Sequence, residues 1–503
     1  LRALVLGPCL VALLAPAARA QDAPPGPWRD EVAAAARDLV RRGLSPGLGV
    51  AVAVGDRVVF TGAYGVADAD TGRPVSEDSR FYIGSTTKSF TGLAVALGVH
   101  RGELDLDAPF TRYVPAARLH PDVSPASLTL RRLVTLTHGL DDGPVVFRTA
   151  YTGDFSKEQL LELLRYHPPT GRLGVFDYNN LGYNLAGFVL EARYGRPWQE
   201  IVRREVLDPV GMSGTTAYAS SLRADETAMP HELGPAGYAR IRQGKSDANM
   251  HAAGGHFSTM RDLGRYLAAH LGGGLVEGRR VLPRAAVLLT QGQQVAQDRT
   301  TGQLRRVGWG IGWDISVYEG DRVLHRNGAF AGARSFVSFM PESGFGVAVQ
   351  ANGGGLAAST AEALATYVYD RLLGRPRPGE RHAARVEALD TRRAEAMAAA
   401  ARKREERRSR QGALPRPLDR YAGVYENPQL GRMEWRVVGG GLEVRMGVAG
   451  STVEIDEAGA ERLAVRLTGG EEIVDFAAGP PGRSPSSFTY GDQTFTRVSD
   501  AAR

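Results

Sequence analysis

The chain has 503 residues, 43% of them hydrophobic and 23% charged, and a formal net charge of +6. That length exceeds what one hydrophobic core usually organises, so two domains are expected, and the composition excludes a disordered or fibrous chain. The single cysteine, Cys9, lies at the start, so no thiol nucleophile, disulfide or cysteine-based metal site is available downstream of it.

Residues 1–20 form a short apolar run ending Ala18-Arg19-Ala20, a small-x-small cleavage pattern. They read as a signal peptide, which predicts a periplasmic or secreted protein. Pro8 and Pro16 interrupt the run too early for a stable membrane span. A proline-rich lead-in follows at 22–27, then a helix from about Asp30 to Arg42. Val50 to Val54 and Arg57 to Phe60 are two β-branched runs joined by Gly55-Asp56, a strong hairpin signal.

From Ser85 to about Val210 the patterns are mostly helical, with loops at 121–125 and 168–174. The chain turns strand-like near Gly308 to Trp313, again at Ser335 to Met340 and Gly346 to Gln350, and closes with a helix over Ala358 to Leu373. Strands at both ends of a helical block predict an α+β domain over 21–374, its terminal segments meeting in one antiparallel sheet. Residues 375–417 are rich in Ala, Arg and Glu without a sustained apolar stripe and read as a solvated helical linker. The interleaved Glu387, Glu395, Glu405 and Glu406 and the lack of aromatics argue against nucleic-acid binding there. Residues 418–503, with alternating segments such as Met433 to Val438, Leu442 to Met446 and Phe488 to Phe495 between Gly-rich turns, predict a small all-β, barrel-like domain.

Three short elements carry the chemistry. Ser85 and Lys88 stand three apart at the start of an apolar helix, so hydroxyl and amine share one face; a serine hydroxyl needs such a base, and lysine serves when burial lowers its pKa. A plain helix cap at Ser85 with a surface Lys88 is the simpler alternative for this pair alone. Tyr178 and Asn180 precede a second apolar helix and put a phenol and an amide over one cleft. His325-Arg326-Asn327-Gly328-Ala329 offers a cation beside a glycine that admits close backbone approach.

In this order the three elements resemble the Ser-x-x-Lys, Tyr-x-Asn and Lys/His-x-Gly motifs of the serine β-lactamase and penicillin-binding protein superfamily, and they match the class C β-lactamase-related hydrolases in particular. The resemblance extends to Leu133 to Leu140, to Asp208 to Thr216 and to Gly254-Gly255 before Asp262, and covers roughly Leu44 to Leu373. It implies a β-lactamase-like fold, an antiparallel sheet flanked by helices with a helical subdomain, and a lipocalin-like C-terminal appendage. It further implies that Ser85 is acylated with help from Lys88 and Tyr178. Asn180, one of His325 or Arg326, Gly328 and Ala329 then bind substrate, and the amides of Ser85 and Ala329 form the oxyanion hole. Two positions depart from the pattern: Leu136 replaces a usual histidine, and spacing aligns Arg326, not His325, with the usual Lys or His.

The expected protein is therefore an exported serine hydrolase acting on a small-molecule or peptide ester, amide or lactam, with no cofactor and no metal. The alternative from a different class is a penicillin-binding, sensor-like protein that acylates without turnover. Oligomerisation through the C-terminal domain is open to either. Ser85 lacks the Gly-x-Ser-x-Gly elbow of lipases, and no His-Glu-x-x-His pattern supports a zinc enzyme.

Overall fold

A computed structural model describes residues 24–410, 414–478 and 482–500. Residues 1–20, read above as a signal peptide, and with them Cys9, lie outside the described residues.

Helix α1, Trp28–Arg41, leads into strands β1, Gly47–Val54, and β2, Arg57–Asp68, which turn on Gly55-Asp56 as their sequence predicts. Strand β3 is the short Arg73–Pro74. After the helical region come β4, Val295–Thr301; β5, Leu304–Trp309; β6, Asp314–Tyr318; β7, Asp321–Phe330; β8, Ala333–Met340; and β9, Phe345–Ala351. They build one antiparallel nine-stranded sheet in the order β4-β5-β6-β7-β8-β9-β1-β2-β3, so the two ends of the domain pair directly, Val50 opposite Val349. Every residue of β1 is buried, which explains its uninterrupted apolar sequence: both sheet faces are covered.

One face carries α2, Thr87–His100; α3, Leu181–Tyr194; and α4, Met260–Leu271, in the larger core around Phe90, Leu93, Tyr183 and Trp309. The other face is covered by α1 and α5, Ala357–Leu372, around Leu39, Phe336, Val347 and Leu364. Twelve of the fourteen residues of α2 are buried, so a polar residue on this helix is carried into the interior.

The Ala/Arg-rich segment is a single helix, α6, Pro378–Ser409. It is not solvated throughout: His382, Val386 and Leu389, spaced one helical turn apart, are buried, and the His382 ring stacks on Tyr367 of α5. Beyond it, strands β10 to β18 run Gly423–Asn427, Gly431–Val438, Gly441–Met446, Ala449–Thr452, Glu454–Ile455, Arg462–Val465, Glu472–Phe476, Ser487–Tyr490 and Gln493–Ser499. They form a second nine-stranded sheet whose end strands, β13 and β14, are separated in sequence only by Val453, so it curls into a nearly closed barrel. Tyr425, Met433, Trp435, Phe476 and Phe488 fill its interior. The barrel leans on 147–154 of the first domain, where Arg148 donates to the Gln429 carbonyl at 2.8 Å and the Val448 amide donates to the Thr152 carbonyl at 2.8 Å. No helix among the described residues is long and apolar enough to cross a membrane.

Candidate active site

Ser85 occupies the tight turn Gly84–Thr86 that feeds α2, and Lys88 follows one turn later. Lys88 is fully buried. Its Nζ lies 3.2 Å from Ser85 Oγ, 2.6 Å from Asn180 Oδ1 and 3.0 Å from the Ala253 carbonyl. An ammonium would spend its three protons on these three oxygens. A neutral amine keeps two for Asn180 and Ala253 and turns its lone pair toward the serine hydroxyl. Burial lowers the Lys88 pKa from its ordinary value, and Arg326 adds to that effect while Tyr178 and Asp142 oppose it. No acidic oxygen among the described residues lies within 4 Å of Lys88.

Tyr178 and Asn180 are held by contacts from 136–142. The Asp142 carboxylate accepts the backbone amides of Asn180, at 2.5 Å, and Leu181, at 3.1 Å, and so caps α3 and orients the Asn180 peptide. His138 Nδ1 accepts the Leu140 amide, which leaves its other ring nitrogen to donate to Asn179 Oδ1 at 3.0 Å. Leu136, where the resemblance has histidine, is buried in a left-handed conformation with φ of 56°, and its carbonyl accepts the Asp177 amide at 2.8 Å. Asp142 and His138 were not among the residues singled out from the sequence. An acidic residue just past a His-Gly-Leu segment is their only local signal.

The Tyr178 ring forms one wall of the site, with Lys88 Nζ 4.9 Å and the Arg326 guanidinium 4.8 Å from its centroid and Trp309 edge-on at 6.0 Å. Burial of the phenol raises its pKa, but the charges of Arg326 and Lys88 and hydrogen bonding with Ser85 and Lys88 outweigh this and leave it below the ordinary value. The residue as a whole is 37% exposed, so the ring also faces the open cleft.

Strand β7 separates the two candidate cations by alternation. Val323 belongs to the core under α1 and α5 and Leu324 to the core under α2, so His325 and Arg326 leave the sheet on opposite faces. His325 bonds Ser316 Oγ at 2.9 Å and stacks on Phe336; its burial pushes its pKa down to about 4. The structure does not bring His325 to the cleft. Arg326 arrives beside Tyr178 and is paired with buried Asp314 at 3.0 Å. Although burial raises the Asp314 pKa, the Arg326, His325 and Arg306 charges hold it below the usual carboxylate range.

Strand β6 ends where Asp314 pairs with His325, so Arg326 to Phe330 continue as an edge with no strand on that side. Two glycines let this edge reach Ser85. A Cβ at Gly328 would stand 1.8 Å from the Ile83 carbonyl, and one at Gly84, whose φ is 49°, would stand 2.9 Å from the Ala329 nitrogen. Thr86 Oγ1 meets Ser335 Oγ of β8 at 2.8 Å, and Gln350 donates to the same Ser335, which fixes the nucleophile turn to the sheet. The cleft outside Tyr178 has a volume of about 670 Å³ and is lined by Tyr178, by Arg172, Arg299, Arg306 and Arg326, and by Asp177 and Asp298, among others. Among the described residues no group of three His, Cys, Asp or Glu side chains is arranged to hold a metal.

Comparison with known proteins gives a concordant result. A family model described as Beta-lactamase matches residues 32–368. The chain is 28% identical over 340 residues to penicillin-binding protein 4 of Amycolatopsis lactamdurans, a match covering 65% of this chain and 85% of that protein. It is 32% identical over 199 residues to esterase EstB of Burkholderia gladioli, covering 37% of this chain and 50% of the esterase. Among solved structures, the octameric penicillin-binding protein homologue from Pyrococcus abyssi superposes with a TM-score of 0.59 at 18% identity, over 93% of this chain and 99% of that one. The D-amino acid amidase of Ochrobactrum anthropi SV3 complexed with D-phenylalanine does so at 0.57 and 22% identity, over 69% and 98%. At these identities the structural likeness shows the fold.

Proposed function

The chain belongs to the beta-lactamase family, and from that premise we propose that it is an exported serine hydrolase that forms an acyl-enzyme on Ser85. The observation that carries this reading is the Lys88 amine, buried without a carboxylate partner and 3.2 Å from the Ser85 hydroxyl.

In the proposed cycle Lys88 takes the Ser85 proton as Oγ attacks the substrate carbonyl, with the Tyr178 phenol linking both groups. The amides of Ser85 and Ala329 stabilise the oxyanion of the tetrahedral intermediate. Lys88 and Tyr178 return the proton to the departing amine or alcohol. Water then attacks the acyl-enzyme, the same pair accepting its proton, and the carboxylic acid leaves as Ser85 regains its hydrogen. Asn180 fixes the amine and contacts substrate. Arg326 is already paired with Asp314, which suits it to biasing Lys88 and Tyr178 toward their deprotonated forms more than to gripping a substrate anion.

The substrate class is an ester or amide of a small molecule or peptide. Its support is an open cleft lined by charges of both signs beside Tyr178, together with relatives named as an esterase and a penicillin-binding protein and structural neighbours that include a D-amino acid amidase. Export to the periplasm or medium rests on residues 1–20, and assembly through the barrel is the form that oligomerisation takes in this reading. Turnover of p-nitrophenyl esters, D-amino acid amides and a chromogenic cephalosporin, measured for wild type and Ser85→Ala, tests the proposal. Hydrolysis of at least one class that falls to background in the variant supports it; labelling without turnover of any would favour the sensor reading.

A further inference from the structure

A second cavity, about 1150 Å³, opens between the barrel, the outer half of α6 and the turn that joins β7 to β8. One of its lining residues, Ala331, lies in the turn that ends β7, two residues beyond Ala329. Seven cationic side chains line it against three glutamates. Some are engaged: Arg466 pairs with Glu454 at 3.0 Å and Arg436 with Glu434 at 2.8 Å. Arg242, Lys403 and Arg445 have no acidic oxygen within 4 Å among the described residues, and all three are exposed to the cavity.

Surface cations in an interdomain cleft focus the field and attract anions to the same place. The charges here are spread over four segments, Arg242 in the stretch after residue 240, Arg334 on β8, Lys403 and Arg407 on α6 and the rest on the barrel, and this spread fits an extended chain more than a single anion. Between them lie the backbone of Gly450, Ser451 and Thr452, which can hydrogen-bond a peptide, and the Thr468 hydroxyl, which donates to Glu472 and remains free to accept an amide. Arginine forks match carboxylates in two-point contact.

We propose that this cleft binds an acidic peptide segment, and that it receives the part of a peptide substrate remote from the bond cut at Ser85. The second clause rests on the hydrolase reading above; the first does not. Remote binding of this kind raises kcat/KM by holding the reacting carbonyl in place.

The test uses the full chain carrying Ser85→Ala and a fluorescently labelled penta-glutamate peptide followed by anisotropy. Binding is expected to weaken steeply with salt, and to fall at least tenfold in Arg242→Glu and in Arg445→Glu. Arg279→Glu, the same charge change at an exposed position outside the cleft, is expected to stay within twofold. Absence of binding, an equal loss in Arg279→Glu, or stronger binding of polyphosphate than of the peptide overturns the proposal. With Ser85 restored, KM for a substrate bearing a glutamate tail should rise in Arg242→Glu while KM for its neutral counterpart does not move; equal changes in both refute the substrate role. Loss of turnover with binding intact would strike at the Ser85 reading alone, and turnover without peptide binding at the cleft alone.

Discussion

The Lys88 amine donates to Asn180 Oδ1 across 2.6 Å, so its closest partner is an amide and not a carboxylate. That choice leaves the positive form without an ion pair in a buried place, and burial lowers the pKa. The active form is the neutral amine, so kcat/KM should climb as pH rises through the lowered Lys88 value. Asn180→Asp is nearly isosteric and sets a negative charge at the same distance, which shifts such a pKa up by about 1–3 units. The pH–rate profile of that variant is expected to move its acidic limb upward by at least one unit, with activity near pH 7 falling tenfold or more; an unmoved limb would exclude Lys88 as the titrating base.

Alternation along β7 separates the effects of two neighbouring residues. His325→Gln keeps a hydrogen-bonding side chain toward Ser316 on the far face and should leave kcat/KM within a few-fold of wild type, while lowering the melting temperature modestly. Arg326→Lys keeps a charge near Asp314 but loses the guanidinium that lies 4.8 Å from the Tyr178 ring centroid, and should cost activity more than stability. Arg326→Ala removes the nearer of two cations from buried Asp314, which keeps Arg306 at 3.7 Å, so the stability loss should fall below the ~3–5 kcal/mol typical of a buried charge left unpaired. Steady-state kinetics beside thermal melts of the three variants separate these outcomes.

Gly328→Ala would place a methyl group 1.8 Å from the Ile83 carbonyl, so the edge of β7 must retreat from the nucleophile turn. Loss of one oxyanion donor typically costs about 10²–10³ in kcat. A drop of that size, with KM for a small ester changed little and the fold intact by circular dichroism, is expected. Wild-type kcat in this variant would exclude the Ala329 amide from the reaction.

Acid should unfold the protein well before its carboxylates are exhausted. His138 and His325 are buried and held near pKa 4, and His256 and His270 near 3, against 6.5 for the free side chain, in each case chiefly by burial. Between pH 6.5 and 4 the unfolded chain binds protons that the native chain does not, so stability falls as pH falls through that window. Each such histidine contributes on the order of 3 kcal/mol by pH 4. Melting temperatures recorded from pH 7.5 to 4.5 should decline progressively below 6.5; a flat profile would contradict the burial of these rings.

The parts of the site that lie within one element were legible in the sequence. Ser85 and Lys88 stand three apart where a tight turn runs straight into α2, and this local spacing brings them into contact. The α+β architecture was legible in strands at both ends of the first domain, and the barrel in the alternation of 433–446 and 488–495. The face of His325 and Arg326 was not, because β7 is buried on both sides and the apolar pair Val323-Leu324 before them carries no polarity contrast to set the parity. Asp142 and His138 act across about forty residues of chain, through contacts that only the fold creates. The docked half of α6 had a signal, His382, Val386 and Leu389 at helical spacing, that the surrounding arginines and alanines masked.

The most direct test of the central claim is the intact mass of the protein after brief exposure to a fluorophosphonate, with Ser85→Ala and Lys88→Met treated alongside. One adduct per chain, mapping to Ser85, absent from Ser85→Ala and formed at least a hundredfold more slowly in Lys88→Met, is the predicted result. An adduct that persists without Ser85, or that forms at the wild-type rate without Lys88, would contradict the account.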